Sequence, residues 1–402
     1  MKTFSRPKAS GPKENDEQYD HPRLLLLITE DWYYWTHRRS IALGARKAGY
    51  SVTLATRVHS LLKEIADDGI KLIPISLKRR GRNPFREAGS ILELYRIYKR
   101  EKPSIVHHVT LKPVLYGSIA AWLAGVPAVV NALAGLGHAF VSNDLKTRLF
   151  RKILILGYRF VLGLGNSRII FQNPEDLSLF VKHRIVPESK AVLIRGAGAD
   201  CSIFRYRPET AGIPIVMFAG RLLWNKGVKD LVEAGKLLKS EGVSHRIVLV
   251  GRPDQENPKA IPIETLRSWH NDGSAEWWGQ RKSEDMAEVL AQASIVALPT
   301  TYGEGVPKVL IEAASVGRAI VATDVPGCRE IVHNNTNGLL IPPNNVLALK
   351  IAIAALLSNR ENRIEMGQRG REIAAAQFSQ DSVVEKTLAV YNSILSNRHF
   401  GK

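Results

Sequence analysis

Two α/β domains, each a doubly wound Rossmann-like parallel sheet and facing one another across a cleft, are the fold this 402-residue sequence predicts. Three observations lead there. Apolar runs of strand length alternate with helical segments from residue 23 onward. The alternation restarts near residue 213. Between the two series lies a polar linker, RYRPETAGIP. Strands separated by helices form parallel sheets covered on both faces, and each sheet needs its own core.

The first series is RLLLLIT (23–29), SVTLAT (51–56), KLIPIS (71–76), SIVHHV (104–109), AVVNAL (128–133) and RIIFQN (168–173). These runs are mostly continuous rather than alternating, as strands buried on both faces require. WTHRRSIALGARKAGY reads as one helix ending near Gly49, and 88–101 and 114–125 read as two more. The second series is IPIVMFAG (213–220), RIVLVG (246–251), SAEWWG (274–279), SIVALP (294–299), AIVATD (319–324) and GLLIPP (338–343). Helices intervene at KDLVEAGKLLKSEG and SEDMAEVLAQA. The expected division is a disordered polar N-terminus (1–21), a first domain (22–205), a second domain (206–380) and a C-terminal helix (381–402) packing back on the first domain.

Composition narrows the class. The two cysteines, Cys201 and Cys328, are far apart and form neither a disulfide framework nor a metal pattern. The expectation is a reducing, cytoplasmic setting and no metal ligands. The polar first residues do not read as a secretory signal. The longest apolar stretch, 153-ILILGYRFVLGLG-165, is interrupted by Arg159 and is too short to span a bilayer. Net charge is +18, unevenly placed: residues 1–200 hold 32 Lys and Arg against 17 Asp and Glu, and residues 201–402 hold 24 against 21. A basic first half suits an anionic partner: nucleic acid, a membrane surface or a phosphorylated substrate. A solvated basic surface without a partner is the plainer alternative. No G-x-G-x-x-G follows the first strand, where the sequence is ITEDWYYWTHRRS, and no P-loop occurs, which disfavours dinucleotide chemistry.

Three features fall at carboxyl ends of second-domain strands, where such folds bind ligands. In 218-FAGRLLWNKG-227, Arg221 and Lys226 either flank a diphosphate beside a helix amino end or are ordinary loop charges. In 303-GEGVPKVLIEA-313, Pro307 suits the first turn of a helix running to Ser315, whose free amides around Val306 and Lys308 would receive an anion. Glu304 would face that space and Glu312 would point inward from the second turn toward a ribose diol; alternatively both are helix-start acids favoured by the dipole. In 323-TDVPGCREI-331, Gly327 precedes a further loop and helix at the same edge.

Glu304-x7-Glu312 within EGVPKVLIE, together with Arg221…Lys226 in GRLLWNKG, resembles glycosyltransferase family 4, retaining enzymes of the GT-B fold. The resemblance covers 213–345 most specifically. In the first domain NPF (83–85), LKPVLYG (111–117) and AGLG (134–137) are similar to the bacterial subgroup that extends undecaprenyl-diphosphate-linked sugars. It implies that Arg221 and Lys226 neutralise the leaving diphosphate without a metal or cofactor. It further implies that Glu304 holds donor-sugar hydroxyls and Glu312 the nucleotide ribose. The backbone of Gly305, Val306, Pro307 and Lys308 would contact donor sugar and phosphate, and Gly251-Arg252 and Trp278-Gly279 would lie by the base. The expected reaction moves a hexose or N-acetylhexosamine from a nucleotide-diphosphate sugar, with UDP favoured, to a lipid-pyrophosphate-linked sugar during glycan assembly. Lipopolysaccharide core or a soluble sugar is the alternative acceptor.

The sequence departs from the family in the first domain. A glycine-rich loop is replaced by EDWYYWTHR, so that His37 or Arg38 stands where its donor contact would be. The histidine that many members carry after the fifth strand is displaced; AVVNALAGLGH offers Asn131 and His138, while His107 and His108 end the preceding strand. Basic residues cluster in 78-KRRGRNPFR-86 and 146-KTRLFRKILILGYRF-160. The second, with alternating apolar residues, is either a helix for the anionic inner face of the membrane or a core helix with a solvated basic side. The basic segments carry no DNA- or RNA-binding motif, so a nucleic-acid-binding protein is the weaker reading.

Overall fold

The computed structural model describes residues 21–79, 83–135 and 145–396, and for 145–153 the backbone alone. His138 and, apart from His21, the polar N-terminus lie outside the described residues. The first sheet comprises β1 Arg23–Glu30, β2 Ser51–Arg57, β3 Lys71–Pro74, β4 Ile105–Val109, β5 Val129–Ala132, β6 Ser167–Phe171 and β7 Ala191–Leu193. Their order is β3-β2-β1-β4-β5-β6-β7. The second comprises β8 Ile215–Ala219, β9 Arg246–Val250, β10 Glu276–Gly279, β11 Ile295–Leu298, β12 Ala319–Thr323 and β13 Gly338–Ile341, in the order β10-β9-β8-β11-β12-β13. Neighbouring strands pair in parallel, including β1 with β4 and β8 with β11, where the strand order reverses. Those two switch points place the crevice for ligands beyond Glu30 in the first sheet and beyond Ala219 and Leu298 in the second.

Helices of the first half are α1 Asp31–His37, α2 Arg39–Lys47, α3 Leu62–Asp67, α4 Pro84–Glu101, α5 Ser118–Ala124, α6 Leu145–Gly163 and α7 Pro174–Lys182. Those of the second are α8 Val228–Ser240, α9 Ile263–Asn271, α10 Met286–Ala291, α11 Lys308–Ser315, α12 Pro326–Ile331, α13 Val346–Ser358, α14 Arg360–Gln377 and α15 Gln380–Ser396. Among the described residues no helix is long and apolar enough to cross a membrane. The second sheet buries one continuous core, from Val216, Met217 and Phe218 to Ile353 and Leu356. The first sheet has a core on each face, one around Leu24, Leu26 and Ile28, the other around Leu25, Leu27 and Ala55. The alternation of these leucines between faces is the period of two expected of a strand covered on both sides.

Two local features differ from the sequence reading. The single helix expected over 35–49 is two, because Arg38 leaves helical geometry at φ −132°, ψ −6°. Its first piece starts earlier, at Asp31, whose carboxylate accepts the amides of His59, Ser60 and Leu61 at 2.7–3.3 Å. That bond set ties the end of β1 to the loop after β2 and fixes where α1 begins. The second concerns Pro307, which is the N-cap of α11 rather than its first residue. The last helix, α15, leaves the second domain and lies on the first: Val383, Val390, Tyr391 and Ile394 join the core of β1 and α2. Tyr50 OH donates to Asn392 across this contact at 2.8 Å.

Candidate active site

The loop after β8 is held against the end of β11. Gly227 adopts φ +73°, and a Cβ there would strike the carbonyl of Pro299, so only glycine fits this approach. The amide of Thr301 donates to the Asn225 carbonyl at 3.0 Å, which closes the same junction. As a result Lys226 meets Glu304, their charged atoms 2.8 Å apart and their side chains only 13% and 15% exposed. Thr300 donates a further hydrogen bond to the Glu304 carboxylate at 3.3 Å. Burial pushes the Glu304 carboxyl up, but Lys226, Arg221 and the hydroxyl of Tyr302 outweigh it and hold it below the usual carboxylate range. Burial likewise opposes the Lys226 ammonium, and Glu304 with Tyr302 overcomes that and raises it. Both groups are therefore charged at neutral pH.

Arg221 follows β8 and was expected beside Lys226 on an open diphosphate site. Here Arg221 donates to Asp254 at 2.9 Å, and Asp254 also receives Arg79 of the first domain at 2.6 Å. Trp32 of α1 lies under both guanidinium groups, 5.9 Å from Arg221 and 5.7 Å from Arg79. A second bridge, Arg57 to Glu256 at 3.1 Å, joins the domains through the same β9 loop.

The Gly305 backbone packs tightly against the first domain. Side-chain substitution at Gly305 would collide with Gln172 and the Ala134 backbone, and Gly135 abuts Glu304 and Gly305 in turn. The amide of Val306, expected to be free for an anion, instead donates to Gln172 Oε1 at 3.1 Å. The first amides of α11, those of Lys308 and Val309, have no intrahelical acceptor. Glu312 sits one turn into α11, 7% exposed, and is ion-paired with Lys308. A ribose diol would have to share it with that ammonium.

At the β9–β10 edge, the Gly251 amide donates to the Gly279 carbonyl at 2.8 Å. Trp277 donates its ring N–H to Gly251 O at 2.9 Å, and Trp278 donates to Glu276 at 3.1 Å. The exposed Arg252 follows Gly251, and its carbonyl accepts the Leu222 amide at 3.1 Å, next to Arg221 in sequence. Among the described residues no group of three or more His, Cys, Asp or Glu side chains could hold a metal ion.

Both halves of the chain match glycosyltransferase families. Residues 23–173 match the family described as Glycosyl transferase 4-like, and residues 204–373 match Glycosyl transferases group 1. The chain belongs to the family 4 glycosyltransferases. An N,N'-diacetylbacillosaminyl-diphospho-undecaprenol alpha-1,3-N-acetylgalactosaminyltransferase of Campylobacter jejuni is 27% identical over 348 residues, spanning 83% of this chain and 89% of the relative. A UDP-Gal:alpha-D-GlcNAc-diphosphoundecaprenol alpha-1,3-galactosyltransferase of Escherichia coli is 23% identical over 374 residues, spanning 87% and 90%. Anabaena HepE, solved with UDP and glucose, shares the fold with a TM-score of 0.74 at 16% identity, covering 93% of this chain and 100% of HepE. The two facing sheets are thus a GT-B fold.

The first-domain candidates of this glycosyltransferase separate cleanly. His108 and Asn131 do not reach the cleft: both are fully buried. His108 Nδ1 pairs with Asn131 Oδ1 at 2.9 Å and Tyr98 OH with His108 Nε2 at 3.1 Å, which orders the core between β4 and β5. Burial pushes the His108 imidazole down to about 4, so it stays neutral. His107 is 1% exposed and shares a hydrogen bond of 2.6 Å with Tyr391 OH of α15. It lines a cavity of about 10 Å³ with Arg38, Gln172 and Gly196, enough for one water. The sequence offered these residues as candidates for the cleft because they end strands, with a structural role as the alternative; the last helix covers His107, and nothing local in the sequence signals that. His37 does reach the site. It is partly buried, and Lys308, Arg38, Arg221 and Lys226 all act on it. Residues the sequence reading missed are Asp254, Arg79, Gln172 and Trp32. The acidic pair in GRPDQE was the available signal, since it follows a strand at the ligand edge.

Proposed function

We propose that the protein is a retaining, metal-independent glycosyltransferase that needs no cofactor. It transfers a hexose or N-acetylhexosamine from a nucleotide-diphosphate sugar, UDP-linked by preference, to a lipid-pyrophosphate-linked sugar in glycan assembly. The observation that carries this reading is the buried Lys226–Glu304 pair beside Arg221 and the amino end of α11. The diphosphate would draw Lys226 and Arg221 from their carboxylates, and the α11 dipole would add to them. Glu304, kept ionised, would then take sugar hydroxyls and face positive charge developing at the anomeric carbon. Glu312 would share Lys308 with the ribose, and the β9–β10 edge from Gly251 to Gly279 would flank the base.

The acceptor assignment is supported by both relatives, which are named for acting on undecaprenol-diphosphate-linked sugars. It is supported also by the first domain's surface. Trp122 and Leu123 on α5 and Leu156 and Phe160 on the adjoining α6 are exposed by half or more. The same helix carries Lys146, Arg148, Arg151 and Lys152 in its sequence. An exposed apolar strip on a helix whose sequence is rich in basic residues suits the anionic inner face of the membrane. The test is nucleotide release from a panel of UDP- and GDP-sugars in the presence of extracted membrane lipids and EDTA. Donor-dependent release that persists in EDTA and falls at least ~100-fold in Glu304→Gln supports the assignment. Undiminished transfer by Glu304→Gln removes the role given to that residue, and strict dependence on a divalent ion removes metal independence.

A further inference from the structure

β1 runs directly into α1, which has no glycine and carries Trp32, Tyr33, Thr36 and His37. The protonation of His37 can be read from its neighbours. Thr36 has a single hydroxyl hydrogen, and its oxygen lies 2.8 Å from the Trp32 carbonyl, which can only accept. That hydrogen is therefore committed. The same oxygen lies 2.6 Å from His37 Nδ1, so here Thr36 accepts and Nδ1 carries the imidazole hydrogen. Nε2 is left with its lone pair and has no hydrogen-bond partner among the described residues.

The ring is also held in place and held neutral. Tyr33 stacks on it at 4.3 Å, with the planes 6° apart. Burial first, then Lys308 from α11, Arg38 beside it, and Arg221 and Lys226 from the loop after β8, press the imidazole well below its ordinary value. Glu304 is paired with Lys226 and Glu312 with Lys308, and neither carboxylate contacts the ring among the described hydrogen bonds and ion pairs.

A lone pair amid cations defines what can sit against it. A phosphate oxygen is itself an acceptor and gives Nε2 nothing to bond. A hydroxyl does, because its hydrogen can point at Nε2 while its oxygen faces the surrounding cations. We propose that His37 Nε2 accepts the hydrogen of a sugar hydroxyl bound in the cleft, so that the first domain reads the sugar and leaves the diphosphate to the second. This rests on the glycosyltransferase reading above. The hydroxyl belongs either to the donor hexose or to the acceptor, and the two are separated by the order in which ligands are added.

The experiment uses the full chain labelled with ¹⁵N-histidine, with His37 assigned by comparison with His37→Gln. Two-bond proton–nitrogen spectra of the free protein should show the Nδ1–H tautomer for His37. UDP alone should leave the ring neutral with its tautomer unchanged. A shift of Nε2 on adding UDP-N-acetylglucosamine or UDP-galactose assigns the donor hydroxyl. A shift that waits for a short-chain polyprenyl-diphosphate sugar assigns the acceptor's. In turnover, His37→Leu should lower kcat/KM about 10–100-fold while the Kd for UDP stays within about twofold; His37→Gln, which keeps an acceptor oxygen, should recover most of the loss. Conversion of His37 to an imidazolium by UDP alone makes it a phosphate ligand and overturns the proposal. So does full activity in a folded His37→Leu protein that still binds UDP, and that result leaves the glycosyltransferase reading standing. Failure of the unmodified protein to bind any nucleoside diphosphate removes both.

Discussion

Arg221 donates to Asp254 at 2.9 Å, so a cation proposed for the leaving diphosphate is held by a carboxylate of the neighbouring loop. Burial pushes the Asp254 carboxyl up, and Arg79 and Arg221 more than reverse it, so the carboxylate is charged and competes with an incoming phosphate. A partly exposed pair of this kind is worth up to about 1 kcal/mol. Asp254→Asn should therefore tighten UDP binding by up to about fivefold, measured by calorimetry at fixed ionic strength. Weaker binding would show that Asp254 orients Arg221 for the diphosphate instead of restraining it.

The Lys226–Glu304 pair makes a prediction for stability against pH. Glu304 has a folded-state pKa below its unfolded one, so its contribution is complete above the unfolded value and fades as pH falls through the folded value. Lys226 has a raised folded pKa, so its contribution is complete below the unfolded lysine value and fades as pH rises through the folded one. The pair stabilises the protein across the whole neutral range. Lys226→Met should cost about 3 kcal/mol there, because a buried carboxylate then keeps only Arg221 and hydroxyl partners. Urea unfolding of both proteins from pH 3 to pH 8 should show the difference shrinking toward the acid end. A constant difference would mean that the methionine disturbs packing and not charge.

Tyr391 offers a test of how α15 is fastened. Its hydroxyl and His107 Nδ1 are both buried and 2.6 Å apart, and His107 Nε2 has no partner among the described residues. Tyr391→Phe leaves the imidazole without any hydrogen bond in the core. A loss of about 1–3 kcal/mol is expected in chemical unfolding, with donor binding unchanged. Loss of UDP binding in the folded variant would instead tie α15 to the cleft.

The parallel strands were legible because burial on both faces leaves an unmistakable run, as in Arg23–Glu30 and Ile215–Ala219. Glu304, Lys226 and Arg221 were legible because strand ends converge on one edge whatever the loops do. What could not be read was which charge each would meet. Lys226 and Glu304 are 78 positions apart, and their 2.8 Å contact depends on Gly227 lying against Pro299. Gln172 capturing the Val306 amide requires the two domains to be in contact, which no local pattern encodes. His107 and Asn131 were misplaced for the related reason that a strand end can be roofed by a helix from the far end of the chain.

The exposed strip on α5 and α6 makes the membrane assignment measurable. Leu156 and Phe160 are 67% and 60% exposed on α6 and one turn apart, so they lie on a common face. Inserting either side chain fully into hydrocarbon is worth about 1.5–3 kcal/mol, and an interfacial helix gains part of that. Replacing both with Asp removes the gain and adds two charges that anionic headgroups repel. The double variant Leu156→Asp, Phe160→Asp should bind vesicles of phosphatidylglycerol and phosphatidylethanolamine at least about tenfold more weakly than the parent. Its helical content and its affinity for UDP should be unchanged, since both side chains already face away from the core. Raising the salt should weaken the parent on anionic vesicles and leave the residual binding to neutral ones, which reports the apolar strip alone. Equal vesicle binding by parent and double variant would remove this face of α6 as the membrane contact.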